Sequence, residues 1–364
     1  MYKGVKLMKK VMIAMSGGVD SSVAAALLKE EGYEVIGGTM HIFPDYEEAT
    51  DREDHCCSYS AVRDAKRVAQ KLDIPHFVFN LQEEFQEKVI DYFVDEYSKG
   101  RTPNPCVMCN KEIKFEALHR KAIEIGCDYI ASGHYAKIEK ENGRYILKKG
   151  LDENKDQSYM LYVLNQKQLS QTLFPLSEYT KDEIRAKAKD LGFSVHNKAE
   201  SQEICFVPDD DYVRFLDTNY PEISKKGPIL DSEGNQIGTH DGLSHYTIGQ
   251  RRGLGISMGY PIYVTALDYE NNAVIVGKDN AVFSDGLIAE DVNFIPFDNI
   301  DGRMEVEAQI RYNSYPVKAF IEEIDNNKVK VDFEEAQRAV TPGQSVVFYL
   351  GDLVLGGGII TKSF

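Results

Sequence analysis

The stretch Met12 to Ser22, M-I-A-M-S-G-G-V-D-S-S, decides how the chain is read. An apolar run, Val11 to Met15, ends in Ser16-Gly17-Gly18. Asp20, Ser21 and Ser22 follow, and Val23 to Lys29 has helix character. The pattern predicts strand, glycine turn and helix N-terminus in that order. Two glycines let backbone approach a ligand with no Cβ in the way. The N–H groups of a first helical turn have no partner inside the helix and favour an anion. The turn suits phosphate; the plainer alternative is a strand–helix turn that happens to be rich in small residues.

A Walker loop is excluded, because that motif closes on Gly-Lys-Ser/Thr and no lysine lies between Lys10 and Lys29. Phosphate would instead be met by backbone N–H groups, hydroxyls and a metal ion, with Asp20 a candidate Mg2+ ligand. The loop closely resembles the pyrophosphate loop of ATP pyrophosphatases. That family cleaves ATP between the α- and β-phosphates and activates a carbonyl as an adenylate.

Outward from the loop, strands alternate with helices. Glu34 to His41 reads as a strand and Ser58 to Leu72 as a helix. Pro75 to Asn80 is a short strand, and Gln82 to Ser98 is helical again. Tyr129 to Gly133 is a further strand. This spacing means an α/β fold, a doubly wound, mainly parallel sheet whose ligands bind at the carboxyl ends of its strands. Between these elements, Gly100 to Asn110 reads as a proline-rich structured loop and Lys111 to Ile125 as a basic amphipathic helix. Glu141-Asn142-Gly143 signals a hairpin. Thr180-x-x-Glu183 is a capping box opening a helix that ends at Gly192. From about Asp210, glycines, turns and short alternating runs take over, as at Met304, Val306, Ala308 and Ile310. Three domains are expected: a catalytic domain over 1–210, a small central linking domain over 211–285, and a C-terminal β-barrel over 286–364.

Composition narrows the class. Of 364 residues, 43% are hydrophobic and 27% charged, ordinary for a globular protein. No apolar run nears the roughly 20 residues a membrane helix needs. The basic start, Met1 to Lys10, precedes a run too short for a signal peptide, so a cytoplasmic address is expected. Net charge is −16, which opposes a nucleic-acid partner. Yet Lys99 to Lys121 holds six basic and two acidic residues, a local patch able to meet a folded RNA.

Six cysteines, Cys56, Cys57, Cys106, Cys109, Cys127 and Cys205, are too few for a disulfide scaffold in a chain this long. Adjacent Cys56 and Cys57 read as incidental and Cys127 as a packing residue. Cys109 and Cys205 stand out. Both are expected in loops, among Asn104, Asn110, Lys111, Gln202 and Glu203, where a neighbouring cation or helix N-terminus lowers a thiol pKa. Burial as inert thiols is the competing reading.

The motifs then fall into a known order: S-G-G-V-D-S, G-R-T-P-N-P-x-x-x-C-N-K-x-I-K-F, S-G-H-Y-A, K-D-Q-S-Y, S-Q-E-I-C-F, T-I-G-Q-R-R-G-L-G, Arg311-Tyr312 and Pro342-Gly343-Gln344. Nearly end to end, the chain resembles the tRNA-specific 2-thiouridylases. The resemblance implies ATP held by Ala14, Met15, Ser16, Gly17, Gly18, Val19, Asp20 and Ser21, with Met40 and Gly133 lining the nucleotide. It implies a tRNA substrate whose wobble uridine is adenylated, releasing pyrophosphate and then AMP. Cys205 would carry a persulfide, and Cys109 would release its sulfur by forming a disulfide with Cys205. Asn104, Pro105 and Cys106 would meet the target base. His134, Lys155, Asp156, Gln157, Arg311, Tyr312 and Gln344 would touch the tRNA. A cysteine desulfurase or a sulfur-relay protein would be the donor.

One departure opens a second route. The family often has aspartate where this chain has Cys106. Cys106, Cys109 and Cys205 could then ligate a 4Fe–4S cluster with one open iron, or zinc. Two other functions compete: another adenylating ligase or amidotransferase on the same fold, which leaves the cysteine pair unexplained, and a non-catalytic metal-cluster RNA-binding protein, which leaves the ATP loop idle.

Overall fold

A computed structural model describes residues 8–43, 59–198, 204–207, 210–325 and 327–364. Cys56, Cys57, Gln202 and Glu203 lie outside the described residues. The chain divides into two compact units.

The first unit comprises Met1–Val89, Cys106–Phe206 and Asp352–Val354. Strands β1 (Lys10–Ala14), β2 (Glu34–His41), β3 (His76–Asn80), β4 (Tyr129–Ala131) and, beyond the hairpin β5 (Ala136–Glu141) and β6 (Arg144–Lys149), the short β7 (Thr172–Leu173) are its strands. They form a sheet of order β3-β2-β1-β4-β7, with the adjoining pairs parallel. Val11, Met12 and Ile13 are wholly buried, as expected of a central parallel strand covered on both faces. The helix Val19–Glu30 buries nearly all of its length, Ala24 to Ala26 included, so small residues bring it close to the sheet. The helix Tyr59–Leu72 buries Ser60, Ala61, Ala65, Val68 and Ala69 and leaves the rest of its described length partly or wholly exposed. In the β5–β6 hairpin Asn142 and Gly143 take φ of 49° and 86°, the left-handed pair that a two-residue turn requires. The hairpin continues onto Leu353 and Val354. The sheet reverses direction of growth at β1 and β4, so the crevice for a ligand lies at their carboxyl ends, where Ser16-Gly17-Gly18 and Ser132-Gly133 begin.

The second unit comprises Ile90–Pro105, Val207–Gly351 and Leu355–Phe364. Strands β8 (Gly227–Leu230), β9 (Gln236–His240), β10 (Tyr263–Asp268) and β11 (Ala273–Gly277) form a sheet of order β10-β11-β8-β9 over Ile229, Val264, Val274 and Val276. One element here is not among the expected turns and short alternating runs: Tyr212–Asn219 is helical, started by Asp211, whose carboxylate accepts from the Arg214 N–H at 2.9 Å. Strands β12 (Phe283–Phe294), β13 (Arg303–Gln309), β14 (Val317–Asp325), β15 (Lys328–Arg338), β16 (Ser345–Leu350) and β17 (Leu353–Ser363) follow. They run in the order β12-β15-β14-β13-β16-β17, and β12 pairs with β17 to close a barrel. Val306, Ala308, Ile310, Val329, Val331 and Phe333 fill it, as the alternation predicts. Closure removes the open edges that such strands would otherwise present.

The stretch Gly100 to Asn110 is less of a loop than its prolines suggest. Pro105–Met108 is a helical turn, and Cys109–Leu118 continues as a π-helix into the helix His119–Glu124. Pro105 opens that turn at the position where a missing N–H costs nothing.

Candidate functional site

The glycine loop has the predicted geometry. Gly17 sits at φ 67°, and a Cβ there would strike the Ala61 carbonyl, so only glycine can bring β1 into the helix. Ser22 Oγ donates to the Gly18 carbonyl at 2.7 Å, and the Ser16 N–H lies 3.3 Å from Ser21 Oγ. These bonds fix the loop from inside. Met15 is held by the Gly38 carbonyl through its N–H at 2.8 Å, and Thr39 Oγ1 donates to the Met15 carbonyl at 2.8 Å. Met40, in the same strand, is buried. Gly133 faces the loop closely: a Cβ there would stand 2.8 Å from the Ser21 nitrogen and 2.9 Å from the Asp20 carbonyl carbon. Ala14 to Ser21 and Gly133 therefore share one place; Met40 lies on the neighbouring strand.

Sequence reasoning missed the cation of this site. The Lys181 ammonium binds both oxygens of Asp20, at 2.8 and 2.7 Å, and Tyr135 OH donates to Asp20 Oδ1 at 2.7 Å. Lys181 is 7% exposed, and its own N–H is held by Asp152 Oδ2 at 2.9 Å. It is the first residue of the helix Lys181–Asp190, whose capping box at Thr180 and Glu183 is formed as expected. A second distant lysine, Lys198, bonds Asp64 at 2.9 Å and lies 3.5 Å from the Gly17 carbonyl. The loop lacks a lysine of its own, and the fold brings two from more than 160 residues away. The capping box was the one local signal near Lys181.

Several residues expected to touch RNA are occupied within the fold. His134 is buried between Phe115 and Phe174, with ring centroids 5.9 Å from each, and its Nδ1 is 2.7 Å from Ser132 Oγ. Burial holds its pKa well below the usual imidazole value, so it is neutral. Asp156 accepts from the Gly150 N–H and from the Ser158 N–H and hydroxyl, while burial raises its pKa. Gln157 exchanges bonds with Tyr135, its Oε1 accepting from the Tyr135 N–H and its N–H donating to the Tyr135 carbonyl. Lys155 is partly exposed beside them.

Cys106 is exposed, and Cys109 and Cys205 are half-buried in the first unit. Neither of the latter is core; Cys127 is, and burial pushes its thiol up to about 11. Cys109 opens a helical segment rather than lying in a loop. The next residue, Asn110, is 2% exposed and donates to the Met160 carbonyl at 3.1 Å. Cys205 is in a turn beside Phe206, which packs on Phe85 at 5.8 Å between ring centroids. The three-thiolate ligand set does not form: among the described residues no group of three His, Cys, Asp or Glu side chains is placed to hold a metal. Cys106 and Cys109 lie one helical turn apart, but Cys205 does not complete a triad with them. As placed, Cys106, Cys109 and Cys205 do not make a ligand set for a 4Fe–4S cluster or for zinc.

In the second unit, Asn104 and Pro105 follow Thr102 and Pro103 at the start of the helical turn. Arg311 donates to the Arg338 and Ala339 carbonyls, and the buried amide of Gln309 donates to the carbonyls of Arg311, Tyr312 and Ser314. This leaves Tyr312 at 38% and Tyr315 at 91% exposure on a held turn. Gln344 donates to the Thr102 carbonyl at 2.9 Å.

A glycine loop, a helix N-terminus and a switch-point crevice make the first unit a nucleotide-binding α/β domain. The comparisons agree. A family model described as a tRNA methyl transferase HUP domain matches residues 9–209. A PRC-barrel domain of the same series matches 214–278, and an aminomethyltransferase β-barrel domain matches 284–360. A protein of Halothermothrix orenii named tRNA-specific 2-thiouridylase MnmA is 60% identical over 98% of this chain and 100% of its own. One of Clostridium tetani, named tRNA-specific 2-thiouridylase MnmA 2, is 56% identical over 97% and 99%. One of Clostridium perfringens is 55% identical over 97% and 98%. The chain belongs to the tRNA-specific 2-thiouridylase family.

Proposed function

We propose that this protein uses ATP to replace the 2-oxygen of a wobble uridine in tRNA by sulfur. The observation that carries the reading is the Ser16–Ser21 loop, closed by Gly133 and backed by Lys181, in a chain alike over its full length to 2-thiouridylases. Phosphates of ATP lie on the loop's N–H groups. Lys181 supplies the positive charge that a Walker lysine would give, and Asp20 is the candidate Mg2+ ligand once Lys181 turns to phosphate. The uridine 2-oxygen attacks the α-phosphorus and pyrophosphate leaves. The terminal sulfur of a Cys205 persulfide then attacks C2, and AMP departs with the oxygen. Cys109 thiolate attacks Cys205 Sγ and breaks the S–S bond, which leaves sulfur on the base and a Cys109–Cys205 disulfide. A thiol reductant restores the pair, and a desulfurase or relay protein reloads Cys205. Thiolate chemistry of this kind works near neutral pH. Asn104, Pro105 and Cys106 face the extruded base. Lys155, Arg311 and the exposed Tyr312 hold RNA, Tyr312 by stacking.

The test supplies ATP, a sulfur donor, reductant and unmodified tRNA, then analyses nucleosides and AMP. Thiolated uridine with stoichiometric AMP is the expected result. AMP without thiolation points to another adenylating ligase. A methylated nucleoside formed without AMP would fit the wording of the domain descriptions and overturn the proposal.

A further inference from the structure

The residues expected to face the base, Asn104 and Pro105, end a segment that is braced at Thr102 and Pro103. Pro103 and Pro105 remove two of its N–H donors. Thr102 and Pro103 are held by other parts of the second unit. The Thr102 N–H donates to the Pro342 carbonyl at 2.9 Å. The Gln344 amide nitrogen donates to the Thr102 carbonyl at 2.9 Å and reaches the Pro103 carbonyl at 3.4 Å. Gly343, at φ 93°, lies so close that a Cβ would stand 2.8 Å from the Thr102 nitrogen. The turn carrying these residues is itself pinned. The Gly343 N–H donates to the Ile360 carbonyl and the Ile360 N–H to the Gln344 carbonyl, each at 2.8 Å, and Ile360 is fully buried in the barrel. Thr102 Oγ1 meets Thr247 Oγ1 at 3.3 Å.

We infer that Gly343 and Gln344 are positioning residues: the barrel's Pro342–Gln344 turn sets Asn104 through the backbone of Thr102 and Pro103, rather than presenting Gln344 to the RNA. The amide nitrogen of Gln344 already faces two carbonyls, so RNA would have to break that clamp to use it. The inference rests on the proposed role of Asn104 in holding the base. The turn then links barrel to chemistry: a shift at Gln344 displaces the base-holding residues without touching ATP.

Gln344→Met removes the donors at similar length, and Gly343→Ala inserts the clashing carbon. Hydrogen exchange is followed in the tRNA-free protein, with tRNA affinity and steady-state thiolation measured separately. Exchange at the Thr102 and Asn104 amides should rise about tenfold or more in Gln344→Met. kcat should fall about tenfold or more, while KM and Kd for tRNA stay within about twofold. Unchanged exchange overturns the clamp. So does a tenfold weaker Kd with kcat intact, the signature of a direct RNA contact. Gln344→Met adds nothing to the backbone, so it decides the matter if Gly343→Ala fails to fold. The exchange and affinity measurements need no turnover, so they stand even if thiolation itself is disproved.

Discussion

Asp20 carries a carboxylate into the site proposed for phosphates, and Lys181, on both its oxygens, with Tyr135, on one, makes that tolerable. Lys181→Met should therefore do two things. It leaves Asp20, 30% exposed at its side chain, without its cation. The loss should be about 1–3 kcal/mol, below the roughly 3–5 of a fully buried broken pair because water reaches the carboxylate. It also removes positive charge from the reacting phosphates, and AMP release should drop by about 10²- to 10³-fold. Urea unfolding and an AMP assay read the two separately; a normal AMP rate would remove Lys181 from the site. Cys127 makes a pH prediction. Its thiol is raised from 9.0 to about 11 by burial, so between those values the unfolded chain has lost a proton that the folded one keeps. The contribution is fully present below about pH 9 and is lost as pH rises towards 11, a change of about 2–3 kcal/mol in all. Cys127→Ala should flatten that alkaline limb in equilibrium unfolding.

The helix Lys181–Asp190 ties local sequence to the site. Thr180 Oγ1 and Glu183 cap it reciprocally, and the residue next to the cap is Lys181. Thr180→Ala should cost about 1 kcal/mol and, by fraying the turn that aims Lys181, slow AMP release a few-fold with little change in tRNA affinity. Thermal unfolding and the AMP assay check both parts. This helix also marks the border of what the sequence discloses. The capping box, the Asn142-Gly143 turn, the glycine loop and the period-two strands of the barrel were legible because each is set by residues within a few positions. The Asp20–Lys181 pair was not, since only tertiary packing joins two positions 161 apart. The π-helical winding of Cys109–Leu118 was missed because apolar spacing does not separate it from an α-helix. The helix Tyr212–Asn219 was hidden because it spans only two turns and opens a region read as turns and alternating runs. A cluster of three cysteines was read into the chain from ligand chemistry, and chain geometry withheld it.

For the whole molecule the question is how a chain of net charge −16 binds a polyanion. The six basic residues of Lys99 to Lys121 look like an answer until the acidic partners of five of them are counted. Lys99 pairs with Asp95, Arg101 with Glu96 at 3.6 Å, Lys111 with Glu112 at 3.7 Å, Arg120 with Glu84 at 3.6 Å and Lys121 with Glu124 at 3.0 Å. Most of those carboxylates lie outside the stretch, so its own composition understates them. Apart from Arg101–Glu96, whose carboxylate is buried, pairs this exposed are worth about 0–1 kcal/mol each, so phosphate can displace a carboxylate cheaply. The displaced carboxylate stays nearby, however, and opposes the RNA. Few counterions are then released in net terms. Affinity for tRNA should fall with salt at a slope of about −2 to −4 in log–log form, well short of the roughly −10 of a strongly basic binder. Removing one acidic partner should act with the opposite sign to removing its base. Glu84→Gln should tighten binding a few-fold at low salt, and Arg120→Gln should weaken it and reduce the slope by about 0.7–0.9. Filter binding across a salt series measures all three. A wild-type slope near −8, or a Glu84→Gln variant that binds no better, would mean that a continuous basic surface lies elsewhere on the protein.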